Sequence, residues 1–244
     1  MKKQLRQSAD RRGMSTTHGA LRAISLLGVV AFWMGLLMAG HLYPSEYDWR
    51  YMTMSNLVYP ERNPAGHLWA SGGIVLCGLS GLYWTTALLR RAHQAGERSS
   101  RVGTSALRVG FFSMACCAVL PERLWPIPKA HEFLALTAFL CLCLGMAYQS
   151  FRTVGEFLVR QQGSSTQGTR RYAGLAVAVP LAPVLLAGLV QLYVARRLPQ
   201  LPWVGLAWRD LGVPRYLSFA FWEWVACALF SASIVLLGLI TRER

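Results

Sequence analysis

Apolar residues dominate this chain in six long runs, and polar residues collect in the connections between them. Each run reaches or approaches the roughly 20 residues that a helix needs to cross a bilayer core of about 30 Å. The pattern therefore predicts an all-α, polytopic membrane protein with six transmembrane helices. The runs cover residues 21–43, 66–89, 104–121, 130–151, 172–195 and 217–240.

Composition supports the bilayer as the solvent. Hydrophobic residues make up 54% of the chain and charged residues 15%, whereas soluble domains carry about 25% charged residues. All six cysteines fall inside apolar runs, so we expect neither a disulfide framework nor a zinc-ribbon site. The first apolar run is about twice the length of a signal-peptide core, which favours a retained first helix. We expect residues 1–18 to be a flexible basic cytoplasmic segment, starting at Met1 or Met14, and residues 19–241 to be the six-helix domain.

The distribution of Lys and Arg predicts the orientation. With both termini placed inside, about two thirds of the 25 basic residues lie in inner segments, as the positive-inside rule requires. Most of the acidic residues then lie outside. The net charge of +14 is thereby explained by the topology and by anionic inner-leaflet lipid, so no nucleic-acid partner is predicted. The predicted location is the inner (cytoplasmic) membrane.

The outer connections, 44–65, 121–130 and 196–216, are rich in aromatic residues, prolines and acids, and we expect them to be ordered. The Asn63-Pro64 pair is typical of a helix start and places His67 in the first turn of the second helix. The alternation from Tyr51 to Val58 fits a short strand or an interfacial helix equally well. Glu223 lies about six residues into the last helix, where a carboxylate usually needs a partner or a water-filled cavity. We expect that partner to be Arg50, Arg62, Arg123 or Arg215.

These features predict one outward-facing polar pocket, because the second, fourth and sixth helices all begin at the outer surface. Each residue also has a purely structural explanation, such as an interfacial position, a helix-start contact or a solvated loop charge. The candidate pocket residues are Asp48, Arg50, Ser55, Asn56, His67, Glu122, Arg123, His131, Glu132 and Glu223.

Short motifs in these segments resemble those of an uncharacterised six-helix prokaryotic membrane family, domain of unknown function 998. They are Asp48-x-Arg50, Ser55-x-Leu57, Pro121-Glu122 and His131, with Glu223 in the last helix. That family is loosely similar to the eukaryotic DRAM-like and FRAG-like membrane proteins. The resemblance covers about residues 21–240 and implies a fold and an outer polar pocket, without an established activity.

Three classes of function fit the sequence. The first is a membrane protein that binds or processes a lipid-like amphiphile in the outer pocket, with membrane lipids as its partners. The second is an accessory or scaffold subunit of a larger membrane complex. The third is a metal-dependent intramembrane hydrolase, in which His67, His131 and a carboxylate such as Glu132 or Glu223 would hold zinc. A haem between His67 and His131 is a further variant; apart from these alternatives, no cofactor is predicted.

Overall fold

The protein is all-α in the computed structural model, which describes residues 2–94, 96, 98–119, 129–160, 167–200 and 207–240. None of these residues lies in a strand, so the all-α prediction is confirmed. Each predicted apolar run corresponds to one long helix. The long helices are α1 (Lys2–His41), α3 (His67–Gln94), α4 (Arg98–Val119), α5 (Ala130–Arg160), α6 (Gln167–Arg197) and α8 (Phe219–Ile240).

Short helical segments occupy parts of the 42–66 and 198–218 connections. The alternation from Tyr51 to Val58 ends in a short helix, α2 (Ser55–Val58), and not in a strand. A second short helix, α7 (Ala207–Asp210), and a 3-10 turn (Arg215–Leu217) precede α8.

Four helices contain stretches that are long and apolar enough to cross a membrane, within the described ranges. These stretches are Ala23–His41, His67–Arg90, Ser100–Val119 and Ala130–Arg152, and a shorter apolar helix covers Phe219–Val235. Large apolar side chains such as Leu27, Leu144 and Phe151 lie exposed on these helices. Exposed apolar faces on long apolar helices are typical of a protein whose surface contacts lipid.

The long helices pack in chain order, and α8 closes the arrangement by contacting α1, α5 and α6. One buried cluster joins α1 and α3 to the α1–α3 connection, and includes Leu36 and Leu57. A second joins α4, α5 and α8, and includes Leu107 and Phe230. Helix α8 serves both clusters, because Trp224 packs against the first while Phe230 belongs to the second.

Small residues let α1 and α3 approach closely. A Cβ atom at Gly73 would lie 2.6 Å from the Ala31 carbonyl oxygen and 3.1 Å from the Gly35 Cα. Two turns along the same pair of helices, Gly28 lies against Ser80. Helices in membranes associate through such close contacts. By contrast, nothing lies within 4 Å of a Cβ at Gly72, so this glycine of the second run does not serve helix packing.

Helices α4 and α5 are antiparallel, and three contacts fix their register. The Gln149 amide donates to the Thr104 hydroxyl over 2.8 Å, in a buried position. One turn further along, Gly145 lies against Leu107. One more turn along, Gly110 lies against Leu142.

Candidate functional site

The connection from residue 42 to residue 66, here called the 42–66 connection, is folded back on itself by buried side chains. Asn63 is fully buried; its amide nitrogen donates to the carbonyl oxygens of Ala39 (3.0 Å) and Leu57 (3.3 Å). Its side-chain oxygen accepts from the Gly66 amide at 3.0 Å. The Tyr47 hydroxyl lies 3.0 Å from the carbonyl oxygens of both Met52 and Thr53. These bonds hold the end of α1, helix α2 and the start of α3 together.

Glu223, in the second turn of α8, contacts this connection directly. Its Oε2 atom accepts a hydrogen bond from the Met54 backbone amide at 3.1 Å. The next residue, Trp224, donates from its indole nitrogen to the Met52 carbonyl oxygen at 3.3 Å. Two consecutive residues of α8 are thus bound to two nearby backbone positions of the 42–66 connection.

The structure gives Glu223 no arginine partner among the described residues. Arg50 binds Asp48 instead, and Arg62 contacts Asn56 and the Tyr59 ring. The predicted ion pair of Glu223 is therefore wrong for Arg50 and Arg62, which each have a nearer partner in their own connection. It is also wrong for Arg215, which forms no ion pair with Glu223. Arg123, together with Glu122, lies outside the described residues.

Asp48 and Arg50 form a two-pronged ion pair. Arg50 Nε lies 2.8 Å from one carboxylate oxygen of Asp48 and Arg50 Nη2 lies 3.0 Å from the other. The Arg50 backbone amide also donates to Asp48. Burial raises the pKa of Asp48, but the hydrogen bonds and charge of Arg50 outweigh it and hold that pKa below its usual value. The carboxylate is therefore kept charged at neutral pH.

Aromatic rings surround the N-terminal end of α8. The Trp224 ring lies 6.0 Å from Trp33 of α1 and 6.1 Å from Tyr47, measured between centroids. The Trp33 indole nitrogen donates to the Ser231 hydroxyl at 3.0 Å, which ties α1 to α8. Burial raises the pKa of Tyr47, and the negative charge of Glu223 raises it further. Tyr47 is therefore a neutral hydrogen-bond donor beside the carboxylate.

His131 and Glu132 open α5, as predicted, and they have different surroundings. His131 is buried, with its ring centroid 5.0 Å from that of Tyr59 in the 42–66 connection. Its Nδ1 atom lies 3.3 Å from the sulfur of Cys117 on α4. Glu132 is exposed. The structure thus brings His131 and Glu223 to the same connection, at Tyr59 and Met54.

The remaining predicted residues make local contacts. His67 Nδ1 lies 3.2 Å and 3.1 Å from the carbonyl oxygens of Asn63 and Pro64, at the start of its own helix. The Ser55 hydroxyl lies 2.7 Å from the Thr53 hydroxyl. The Asn56 side-chain amide donates to the same Thr53 hydroxyl. These three side chains therefore shape the 42–66 connection.

The described residues contain no group of three or more His, Cys, Asp or Glu side chains that could hold a metal ion. Zinc or haem binding by His67 and His131 stays a prediction. A crevice within the described part of the chain lies toward the opposite end of α1 and α3, between residues such as Ser25, Trp84 and Ile234. The site around Glu223 is thus defined by its polar contacts and not by that crevice.

Sequence reasoning missed three residues of this site. Tyr47 and Trp224 both bond to the Met52 carbonyl oxygen of the 42–66 connection, and Cys117 contacts His131. In the sequence, each of the three lies among many other aromatic or apolar residues. An aromatic residue next to a charged one, as in Tyr47-Asp48 and Glu223-Trp224, is the one signal that could have found the first two. Nothing in the sequence distinguishes Cys117 from Cys116.

Comparison with known proteins identifies a family for this chain but no activity. The model of a family described as "Protein of unknown function (DUF998)" matches residues 26–240. No curated protein and no solved structure matches the chain.

Proposed function

The chain belongs to the DUF998 family of proteins of unknown function, and on that premise we propose a function from its own residues. We propose a six-span protein of the inner membrane, with both termini in the cytoplasm. In this proposal, Glu223 and the surrounding 42–66 connection hold the headgroup of a lipid-like amphiphile on the outer side.

The topology is supported by the match between helices and apolar runs. An even number of spans places both termini on one side, and the basic residues favour the cytoplasm for that side. Helices α6 and α8 then supply the fifth and sixth spans. This arrangement brings the 42–66 connection and the start of α8 to the outer surface together.

The observation that carries the binding proposal is the incomplete pairing of Glu223. Its carboxylate is partly buried, receives the Met54 amide, and has no ion-pair partner among the described residues. A carboxylate at this depth in a membrane is costly unless cations or hydrogen-bond donors reach it. A headgroup with an ammonium or hydroxyl group supplies such donors, and Trp33, Tyr47 and Trp224 provide aromatic surface beside it.

Phosphatidylethanolamine and phosphatidylcholine provide a sharp test, because the first carries ammonium N–H donors and the second carries none. The full chain, purified in detergent, is titrated with each lipid in mixed micelles. We expect preference for phosphatidylethanolamine, and about a tenfold loss of that affinity in Glu223→Gln, since a hydrogen bond to a charged group contributes roughly 1.5–3 kcal/mol. The Gln oxygen still accepts from the Met54 amide, so the fold is retained.

Glu61→Gln is the matched control, because Glu61 is an exposed acid of the same connection. It should leave both affinities unchanged. Equal binding of phosphatidylethanolamine by the wild type and by a folded Glu223→Gln variant would refute the proposed role of Glu223.

A further inference from the structure

A cysteine and a histidine lie side by side where the end of α4 meets the start of α5. The Cys117 sulfur lies 3.3 Å from His131 Nδ1 and 3.6 Å from His131 Nε2. The thiol also reaches the His131 carbonyl oxygen at 3.7 Å. A thiol within hydrogen-bond reach of an imidazole is the arrangement that activates a cysteine nucleophile, because the imidazole can take the thiol proton.

The imidazole of this pair is held by packing. His131 is buried, and the Tyr59 ring of the 42–66 connection lies 5.0 Å from it, measured between centroids. Apolar surroundings favour the neutral thiol over the thiolate, so Cys117 needs a base at the moment it reacts. His131 is the base that lies in position to serve it.

Cys117 lies beside the Glu223 site. Ala118, the next residue of α4, packs against the same buried cluster as Met54 and Trp224. Met54 in turn donates its backbone amide to the Glu223 carboxylate. That carboxylate is close enough for its charge to act on the Cys117 sulfur. The thiol and the proposed headgroup site are therefore neighbours.

The depth of both groups fits a single lipid molecule. Cys117 lies two residues before the end of α4 at Val119, which is about 3 Å along the helix axis. Glu223 lies four residues after the start of α8 at Phe219, which is about 6 Å along that axis. The acyl esters of a phospholipid lie between its headgroup and its chains, at the edge of the hydrocarbon core. In the six-span arrangement, both side chains lie near that edge.

We propose that Cys117 and His131 hydrolyse an acyl ester of the amphiphile whose headgroup is held at Glu223, an activity that rests on the proposed function. His131 Nδ1 takes the thiol proton as the sulfur attacks the ester carbonyl carbon, and the leaving alkoxide takes that proton. The products of this step are a lysolipid and an acyl thioester on Cys117. A water molecule then attacks the thioester, passes one proton through His131 to the sulfur, and releases the fatty acid.

The test uses the full chain in detergent, with phosphatidylethanolamine that carries a labelled acyl chain. We expect release of labelled fatty acid, and a labelled thioester on the protein that neutral hydroxylamine removes. Cys117→Ala should lose both. His131→Gln should slow the release by roughly 100-fold or more, since a general base contributes about 10²–10⁴-fold. Cys116→Ala is the matched control and should keep both, because it removes the adjacent thiol and leaves the contact between Cys117 and His131 intact.

Two further measurements separate this activity from headgroup binding. Cys117→Ala should bind phosphatidylethanolamine as the wild type does, which also shows that the variant is folded, whereas Glu223→Gln should lose binding and lipid cleavage together. An ester without a headgroup, p-nitrophenyl butyrate, should be cleaved by Glu223→Gln and not by Cys117→Ala. Wild-type protein that binds phosphatidylethanolamine but releases no fatty acid would overturn the esterase and leave headgroup binding standing. Cleavage of either ester by Cys117→Ala at the rate of Cys116→Ala would also overturn it.

Discussion

Among single residues, Asp48 makes the stability of the 42–66 connection depend on acid. Its pKa in the folded protein lies below the usual value because Arg50 outweighs the effect of burial. The ion pair therefore stabilises the fold above the unfolded-state pKa of about 3.9, and that contribution is lost as pH falls through the folded-state pKa. We expect Asp48→Asn to melt at a lower temperature than the wild type at pH 7, with the gap narrowing below about pH 4.

The measurement is thermal unfolding of the detergent-solubilised protein at a series of pH values. Asp210→Asn is the control, because the Asp210 side chain is 71% exposed and its contact with Arg209 is 3.6 Å long. An exposed pair contributes little, so this variant should follow the wild-type curve. A gap between Asp48→Asn and the wild type that stays constant at every pH would contradict the assigned role of the ion pair.

Sequence patterns predicted the local contacts of residues but not their distant partners. Asn63 was predictable as a helix-start residue, and it does bond the Gly66 amide. Its bond to Ala39 spans 24 residues, and the bond between Met54 and Glu223 spans 169. Such partners depend on how helices pack, and the spacing of residues along the chain carries no record of that. For the same reason, the need of Glu223 for a partner was predictable and the identity of that partner was not.

Among the helices, the contact between α1 and α3 depends on a glycine face. A leucine at Gly73 would push into the Ala31 carbonyl and Gly35, and overpacking of this kind typically costs roughly 1–3 kcal/mol. We expect Gly73→Leu to lower the melting temperature by several degrees. Gly72→Leu adds the same side chain one residue away, where nothing lies within 4 Å, and should change the melting temperature little. Equal effects in the two variants would argue against this packing face.

Hydropathy predicted the apolar part of each long helix better than the residues at which the helix ends. The fourth apolar run stops at residue 151, whereas α5 continues to Arg160. In the continuation, charged residues at 152, 156 and 160 interrupt the apolar residues, so hydropathy gives no apolar run to signal it. Helix α2 has only four residues, too few to give a helical period, so the alternation across it fitted a strand as well. Length and apolar periodicity therefore decided which elements could be predicted.

Across the whole molecule, α8 contacts both the first long helix, α1, and the later helices α5 and α6, which are far from α1 in chain order. It contacts α1 at one side and α5 and α6 at the other, and Trp33 to Ser231 is a direct bond between α1 and α8. The Glu223 site therefore lies where the first and last long helices meet the 42–66 connection. A six-span topology with both termini inside would place the Glu223 site at the outer face of the bilayer.

A reporter at a single position distinguishes the six-span topology from a four-span one. Helices α6 and α8 contain no described stretch that matches the length and apolarity of the other four spans. If this pair did not cross the membrane, the C-terminus would still lie in the cytoplasm, so a reporter fused there gives no answer. Gln200, between α6 and α8, is outside in the six-span arrangement and inside in a four-span one. We expect a reporter inserted at Gln200 to be active outside, as at Asn63, and a reporter at Gly96 to be active inside. Cytoplasmic activity at Gln200 would remove α6 and α8 from the membrane and, with them, the proposed depth of Glu223.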